Sequence, residues 1–164
     1  MVIDFNKIIF NLTQVMQVLI FTVGCYFFSI SIFGWMKGKK ELTDKIPPKK
    51  KFALVIAAHN EELVIAHIID SLFRQSYPKE FFDVFVIADN CTDMTAEIAE
   101  GHGAKVFVRE NDTERGKGYA LEWMFNKIFT MEEKYDAISV FDADNLVSSN
   151  YLYEMNKQLS KGYK

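Results

Sequence analysis

Asp142-Ala143-Asp144 sets two carboxylates one residue apart, directly after the apolar run Ala137–Phe141. Alternate side chains at a strand end share a face, so such a pair can converge on one hard cation. Carboxylate oxygens together with diphosphate oxygens suit Mg2+ or Mn2+. Acidic strand ends are also common solvated turns, and spacing alone does not separate the two. A further carboxylate, Asp89, closes the apolar run Phe82–Ala88, where it either faces a ligand or caps the turn 90–93. Arg109, Arg115 and Lys117 cluster near Gly116 and Gly118, and either screen phosphate charge or form plain solvated surface.

Other chemistries are excluded by pattern. GHGAKV at 101–106 mimics the start of a dinucleotide fingerprint but has Val106 at the third glycine position, and RGKGY lacks the phosphate-loop spacing and its Ser or Thr. There is no Gly-x-Ser-x-Gly elbow, and His59, His67 and His102 are isolated, which removes hydrolase triads and zinc sites. Cys25 and Cys91 lie in neither a Cys-x-x-Cys nor a His-rich spacing and are expected to be reduced thiols.

The elements that must position these residues alternate in type. Phe52–Ala58 is a continuous apolar run rich in β formers and is expected to be a buried strand. Asn60 is expected to cap a helix with Glu61 and Glu62 in its first turn, running through Leu63, Ala66, Ile69 or Ile68, Leu72 and Phe73 to the stop at Tyr77-Pro78. Phe82–Ala88 is the second strand, and Thr92 or Asp93 caps a second helix ending at Gly101 or Gly103. Ala104–Arg109 is the third strand, Gly118 to about Lys134 the third helix and Ala137–Phe141 the fourth strand. Alternation at this spacing predicts right-handed βαβ crossovers: an α/β, Rossmann-like layout with a mostly parallel sheet and helices on both faces. Ligands then bind at the carboxyl ends of the strands, which places the loops 59–62, 89–93, 109–118 and 142–145 together.

The N-terminal part differs in kind. From Ile8 to Met36, 29 residues carry no Asp, Glu, Lys, Arg or His. As a helix this run is about 44 Å long, more than the roughly 30 Å hydrocarbon core requires. It also exceeds a signal peptide's apolar region and ends in Phe33 and Trp35 rather than small residues, so a retained transmembrane anchor over 1–36 is expected. Seven lysines follow between 37 and 51 against two acids, a basic juxtamembrane linker that predicts a cytoplasmic C-terminal domain, 52–164, with the N-terminus outside a cell membrane. That domain carries 11 basic and 19 acidic residues, which disfavours nucleic acid as a partner.

The ordered blocks VIAAHNEE (55–62), VIADNCTD (86–93), ERGKGYAL (114–121) and VFDADNLV (140–147) resemble the donor half of a family 2 glycosyltransferase with the GT-A fold, and are especially similar to the membrane-anchored branch that builds bacterial exopolysaccharides. The resemblance covers about 52–160. It implies a nucleotide-diphosphate sugar, usually a UDP-sugar, as donor. Ala57, Ala58 and His59 would border the base and ribose, with His59 offering a stacking face where the family often has Tyr. Glu61 would lie near the nucleoside, Asp89 would accept the uracil N–H, and Lys117 would lie near the diphosphate. Asp142 and Asp144 would be the Asp-x-Asp pair, Asp144 for direct ligation of Mg2+ or Mn2+ and Asp142 for ribose or metal-water contact. Cys91 stands where the family often has Ser.

The same resemblance implies inverting transfer to a glycan or lipid-linked acceptor. Metal and basic residues would stabilise the departing diphosphate, and an acceptor hydroxyl would attack the anomeric carbon from the opposite face. In the family the general base is an Asp on the acceptor side, and processive members add a Gln-x-x-Arg-Trp motif. Up to Lys164 the sequence has neither, so the expectation is a donor site without its acceptor half, as in a piece of a longer enzyme or a short module that binds without transferring. Transfer to a polyprenyl-phosphate lipid is the alternative that the anchor would serve equally.

Overall fold

The structure is a computed structural model that describes residues 5–36 and 46–162, in two compact units. The first is a single helix, α1 (Phe5–Met36). Its segment Phe5–Ile32 is long and apolar enough to cross a membrane and has no buried residue. The hydroxyls of Thr13, Thr22, Ser29 and Ser31 donate to carbonyls three or four residues back at 2.7–2.9 Å, so these polar groups are satisfied inside the helix. Of the predicted basic linker, residues 37–45 lie outside the described residues.

The second unit is a four-stranded parallel sheet in the order β3-β2-β1-β4, with β1 Phe52–Ala58, β2 Phe82–Asp89, β3 Lys105–Arg109 and β4 Ala137–Asp142. The helices are α2 (Ile65–Phe73), α3 (Thr95–Gly101), α4 (Lys117–Thr130) and α5 (Tyr151–Ser160). Because side chains alternate along a strand, β1 feeds two cores. Phe52, Leu54, Ile56 and Ala58 pack with Val84 and Val86 of β2 against Ile65, Ile68, Ile69 and Leu72 of α2 and Leu152 of α5. Ala53 and Val55 pack with Phe85 and Ile87 against Ala120, Met124 and Ile128 of α4. Helices therefore cover both faces, as expected of the α/β layout.

Three boundaries differ from the sequence expectation. Asn60 does not cap α2: it takes φ +55°, and the helix begins five residues later. Leu63, expected on the helix's apolar face, lies before α2 and is 85% exposed. Helix α3 begins at Thr95 with Met94, not Thr92 or Asp93, in the cap position and no side-chain cap; Asp93 instead closes the preceding turn, its Oδ1 accepting from the Thr95 N–H at 3.0 Å and the Thr95 hydroxyl at 2.6 Å. Helix α4 ends at Thr130 rather than near Lys134, because Met131 is extended; the Lys134 ammonium donates to its carbonyl at 2.8 Å.

Candidate functional site

The carboxyl ends of β1 and β2 and the start of α4 surround a cleft of about 500 Å3. Ala57, Ala58, His59, Asp89 and Lys117, five of the sequence-predicted residues, line it. Their meeting follows from strand alternation. Asp89 continues the row Phe85, Ile87 and therefore emerges on the α4 face, as does Asp142, whose register partner on β1 is Ala57.

Asp89 forms the floor. Its Oδ1 accepts from Arg109 at 2.7 Å and from the Asn90 amide at 3.2 Å, which leaves Oδ2 without a partner among the described residues. The Arg109 side chain is 4% exposed. Arg109 is thus not the phosphate-screening surface residue that its sequence neighbourhood suggested; it is committed to Asp89 and to the Glu114 carbonyl, 2.8 Å away. His59 Nδ1 lies 2.7 Å from the Asp89 carbonyl, an acceptor only, so this nitrogen carries the proton. The imidazole is fixed by that bond while the residue stays exposed at the cleft.

Two asparagines build the rim, and sequence reading assigned neither to the site. Asn60 and Asn90 each follow a strand's last site residue, and both are left-handed, at φ +55° and +50°. Asparagine tolerates that conformation better than other non-glycine residues, because its short amide bonds locally. Asn60 Oδ1 accepts from the Thr92 N–H at 2.8 Å, and Asn90 Oδ1 accepts from the Asn111 N–H at 2.8 Å. Each loop is thereby tied to the next. The usable signal is the repeated placing of Asn directly after the His or Asp at a strand's carboxyl end, His59 just past β1 and Asp89 closing β2. Arg115, one of the basic residues expected either to screen phosphate or to be plain surface, lines the cleft, as do Thr92 and Gly116, which the sequence does not single out as site residues.

Lys117 begins α4, after Gly116 at φ +109°, a conformation that favours glycine. The first N–H groups of the helix have no intrahelical partner, which gives this wall of the cleft a positive end. The Lys117 ammonium is ion-paired with Asp142.

Glu61, Asp142 and Asp144 do not line this cleft, and the Asp142 side chain is joined to it only through Lys117. The Glu61 N–H is strapped to the Thr95 hydroxyl at 2.8 Å, and its carbonyl accepts from Val64 and Ile65. Asp144 borders a separate groove of about 430 Å3 with His67, Asp70 and Arg74. The chain turns after Asp142, where Asn145 N–H donates back to the Asp142 carbonyl at 3.2 Å, and the strand alternation that would align the two carboxylates stops there. Among the described residues no group of three His, Cys, Asp or Glu side chains is arranged to hold a metal. The hard-oxygen pair Asp142 and Asp144 fits Mg2+ or Mn2+ in chemistry, with diphosphate oxygens and water needed to complete the coordination.

Three titratable groups around the loops are shifted. Burial opposes ionisation of Asp93, but hydrogen bonds from Thr95 and Glu62 outweigh it and hold its carboxyl below the ordinary value. Burial pushes the Cys91 thiol up, with the nearby Asp93 and Asp89 adding to it. The Asp70 carboxyl is lowered by its hydrogen bond to His102.

A family model described as Glycosyl transferase family 2 matches residues 53–164. The chain belongs to glycosyltransferase family 2. Among its relatives, the β-monoglucosyldiacylglycerol synthase of Nostoc sp. is 34% identical over 119 residues, 70% of this chain and 24% of the relative. Two solved structures show the same fold. The mannosyltransferase PcManGT from Pyrobaculum calidifontis, in complex with GDP-Man and Mn2+, has a TM-score of 0.61 at 19% identity and covers 82% of this chain and 39% of its own. The glucosyl-3-phosphoglycerate synthase of Mycobacterium tuberculosis, in complex with Mn2+, UDP and phosphoglyceric acid, has a TM-score of 0.54 at 24% identity and covers 67% of this chain and 39% of its own. The chain spans less than a third of the length of the first curated relatives it matches.

Proposed function

We propose that this chain is the donor-binding part of a membrane-anchored, inverting glycosyltransferase that takes a UDP-sugar with Mg2+ or Mn2+ and serves a glycan acceptor, with the soluble unit on the cytoplasmic side. The observation that carries the reading is the cleft itself: a carboxylate with one free oxygen, an exposed imidazole and a cationic helix start face one space. In it Asp89 Oδ2 accepts the imide N–H of the base, the fixed His59 ring offers a face for stacking, and the α4 N-terminus with Lys117 takes the diphosphate. Asp142 and Asp144, which face neighbouring spaces at the end of β4, would hold the metal together with diphosphate oxygens, and the metal when bound would neutralise charge developing on the departing diphosphate. Lys117 must then exchange Asp142 for phosphate oxygens, so donor entry and release of the Asp142 carboxylate are one event. The general base for the acceptor hydroxyl is assigned to none of these residues.

Support for a nucleotide sugar and a divalent metal comes from the two structural neighbours, named with GDP-Man and Mn2+ and with UDP and Mn2+. A lipid acceptor is the second reading. The apolar helix would keep such a chain at its substrate, and the Nostoc relative is named as a synthase of a glycolipid.

The test is calorimetric titration of UDP and GDP into the full chain in detergent micelles, with and without Mn2+, for wild type and Asp144→Asn. Asparagine keeps the shape and removes the ligand charge. The expected result is UDP binding that needs both the metal and Asp144. Binding of UDP by Asp144→Asn with undiminished Mn2+ dependence would overturn the metal assignment, and binding of neither nucleotide would overturn the reading.

A further inference from the structure

Among the described residues Arg109 is the one buried cation beside the cleft, and it does not line the cavity. Its two guanidinium arms go to different places: Nη1 to Asp89 Oδ1 at 2.7 Å and Nη2 to the Glu114 carbonyl at 2.8 Å. Asp89 is the floor of the base-facing end. Glu114 leads directly into Arg115, Gly116 and Lys117, which form the phosphate-facing wall. The end of β3 is held as well, since the Arg109 carbonyl accepts from the Asn90 N–H at 2.7 Å.

Resting on the nucleotide-sugar reading above, we propose that Arg109 is a positioning residue that couples the two ends of the donor cleft: one planar guanidinium fixes the Asp89 carboxylate and the loop that delivers Gly116 and Lys117. By occupying Oδ1 together with Asn90, it leaves Oδ2 as the acceptor that faces the ligand. By holding the Glu114 carbonyl, it sets where α4 starts. A lysine at this position keeps the charge beside Asp89, but its single ammonium cannot span both partners in one plane.

The experiment compares wild type and Arg109→Lys, as full chains in detergent micelles with Mn2+, by titration with UDP and with inorganic diphosphate. Circular dichroism and thermal unfolding check that both are folded. Arg109→Lys is expected to bind UDP at least tenfold more weakly, and inorganic diphosphate several-fold more weakly although that probe does not reach Asp89. Unchanged diphosphate affinity in the folded variant overturns the coupling. A wild-type chain that binds neither probe overturns the donor-site reading instead, so the two failures are distinct. A second measurement needs no variant. Inorganic diphosphate added to wild type is expected to shift both the Arg109 guanidinium 15N resonances and the Asp89 amide, and resonances that stay in place at saturation overturn the proposal.

Discussion

Lys117, the first residue of α4, is ion-paired with Asp142, the last residue of β4. The pair joins the helix whose start lines the cleft to the strand that carries the Asp-x-Asp motif, and both side chains stay about half exposed. An exposed pair of this kind contributes only about 0–1 kcal/mol to stability. Its value lies in what each partner does when the other lets go.

Lys117→Met should therefore leave the thermal unfolding temperature nearly unchanged while lowering affinity for UDP and for inorganic diphosphate by about tenfold, or roughly 1.4 kcal/mol. Titration calorimetry on the full chain reads both. Equal affinities in variant and wild type would remove Lys117 from the diphosphate site.

Asp89→Asn keeps the Oδ1 contact with Arg109 and turns the free Oδ2 into an amide donor, which cannot accept an imide N–H. UDP binding should fall by more than tenfold while inorganic diphosphate falls little. Equal losses for the two would show that Asp89 does not meet the base. Asp89→Ala is the poorer probe, because it leaves the Arg109 charge buried without its partner, at a cost of about 3–5 kcal/mol.

At Asn60 the backbone sits at φ +55° and the side chain ties Thr92. Asn60→Ala loses the hydrogen bond and strains the left-handed residue, a destabilisation of about 1–3 kcal/mol in sum. Asn60→Gly relieves the strain and should recover part of that loss. Denaturant unfolding of the two variants separates strain from bonding, and identical losses would mean that conformation contributes nothing.

Asp136 accepts from the Lys50 ammonium and the Lys51 N–H, both at 2.8 Å. The Lys50 hydrogen bond, outweighing burial, holds its carboxyl below the ordinary 3.8. A depressed folded pKa means stabilisation that is present above about 3.8 and is lost as pH falls through the folded value. Asp136→Asn should unfold at lower temperature than wild type near neutral pH, with the gap closing as pH drops below about 3.8. A gap that persists in acid would place the effect elsewhere than in ionisation.

The strands and the strand-end cleft were legible in the sequence because their signals are local. Alternation through Phe85 and Ile87 already points Asp89 at the α4 face, and each apolar run has the length of a strand. What was misjudged depends on distant partners. Asn60-Glu61-Glu62 looks like a helix start, but the Glu62 carboxylate accepts from the Met94 N–H at 3.1 Å and its own N–H donates to Asp93, so the segment is a strap between loops. Arg109 shows only its charge in the sequence, since its burial depends on an Asp twenty residues earlier. An extended chain would align Asp144 with Asp142, but the chain turns after Asp142, and nothing local in the sequence marks that turn. Helix α5 is not marked in the sequence, because its buried Leu152 and Asn156 make no regular apolar stripe.

The position of β4 has a consequence for handling the protein. It is the last strand in the order β3-β2-β1-β4, and its Val140 is 40% exposed. The opposite border carries the exposed charge of Lys105 at its start, whereas β4 carries neither a lysine nor a proline along its length. Among the described residues no strand pairs with its outer side, and such a border offers a row of backbone donors and acceptors to any extended segment. Purified at high concentration, this chain should self-associate through that row, and a single lysine at Val140 is the substitution expected to keep it dispersed.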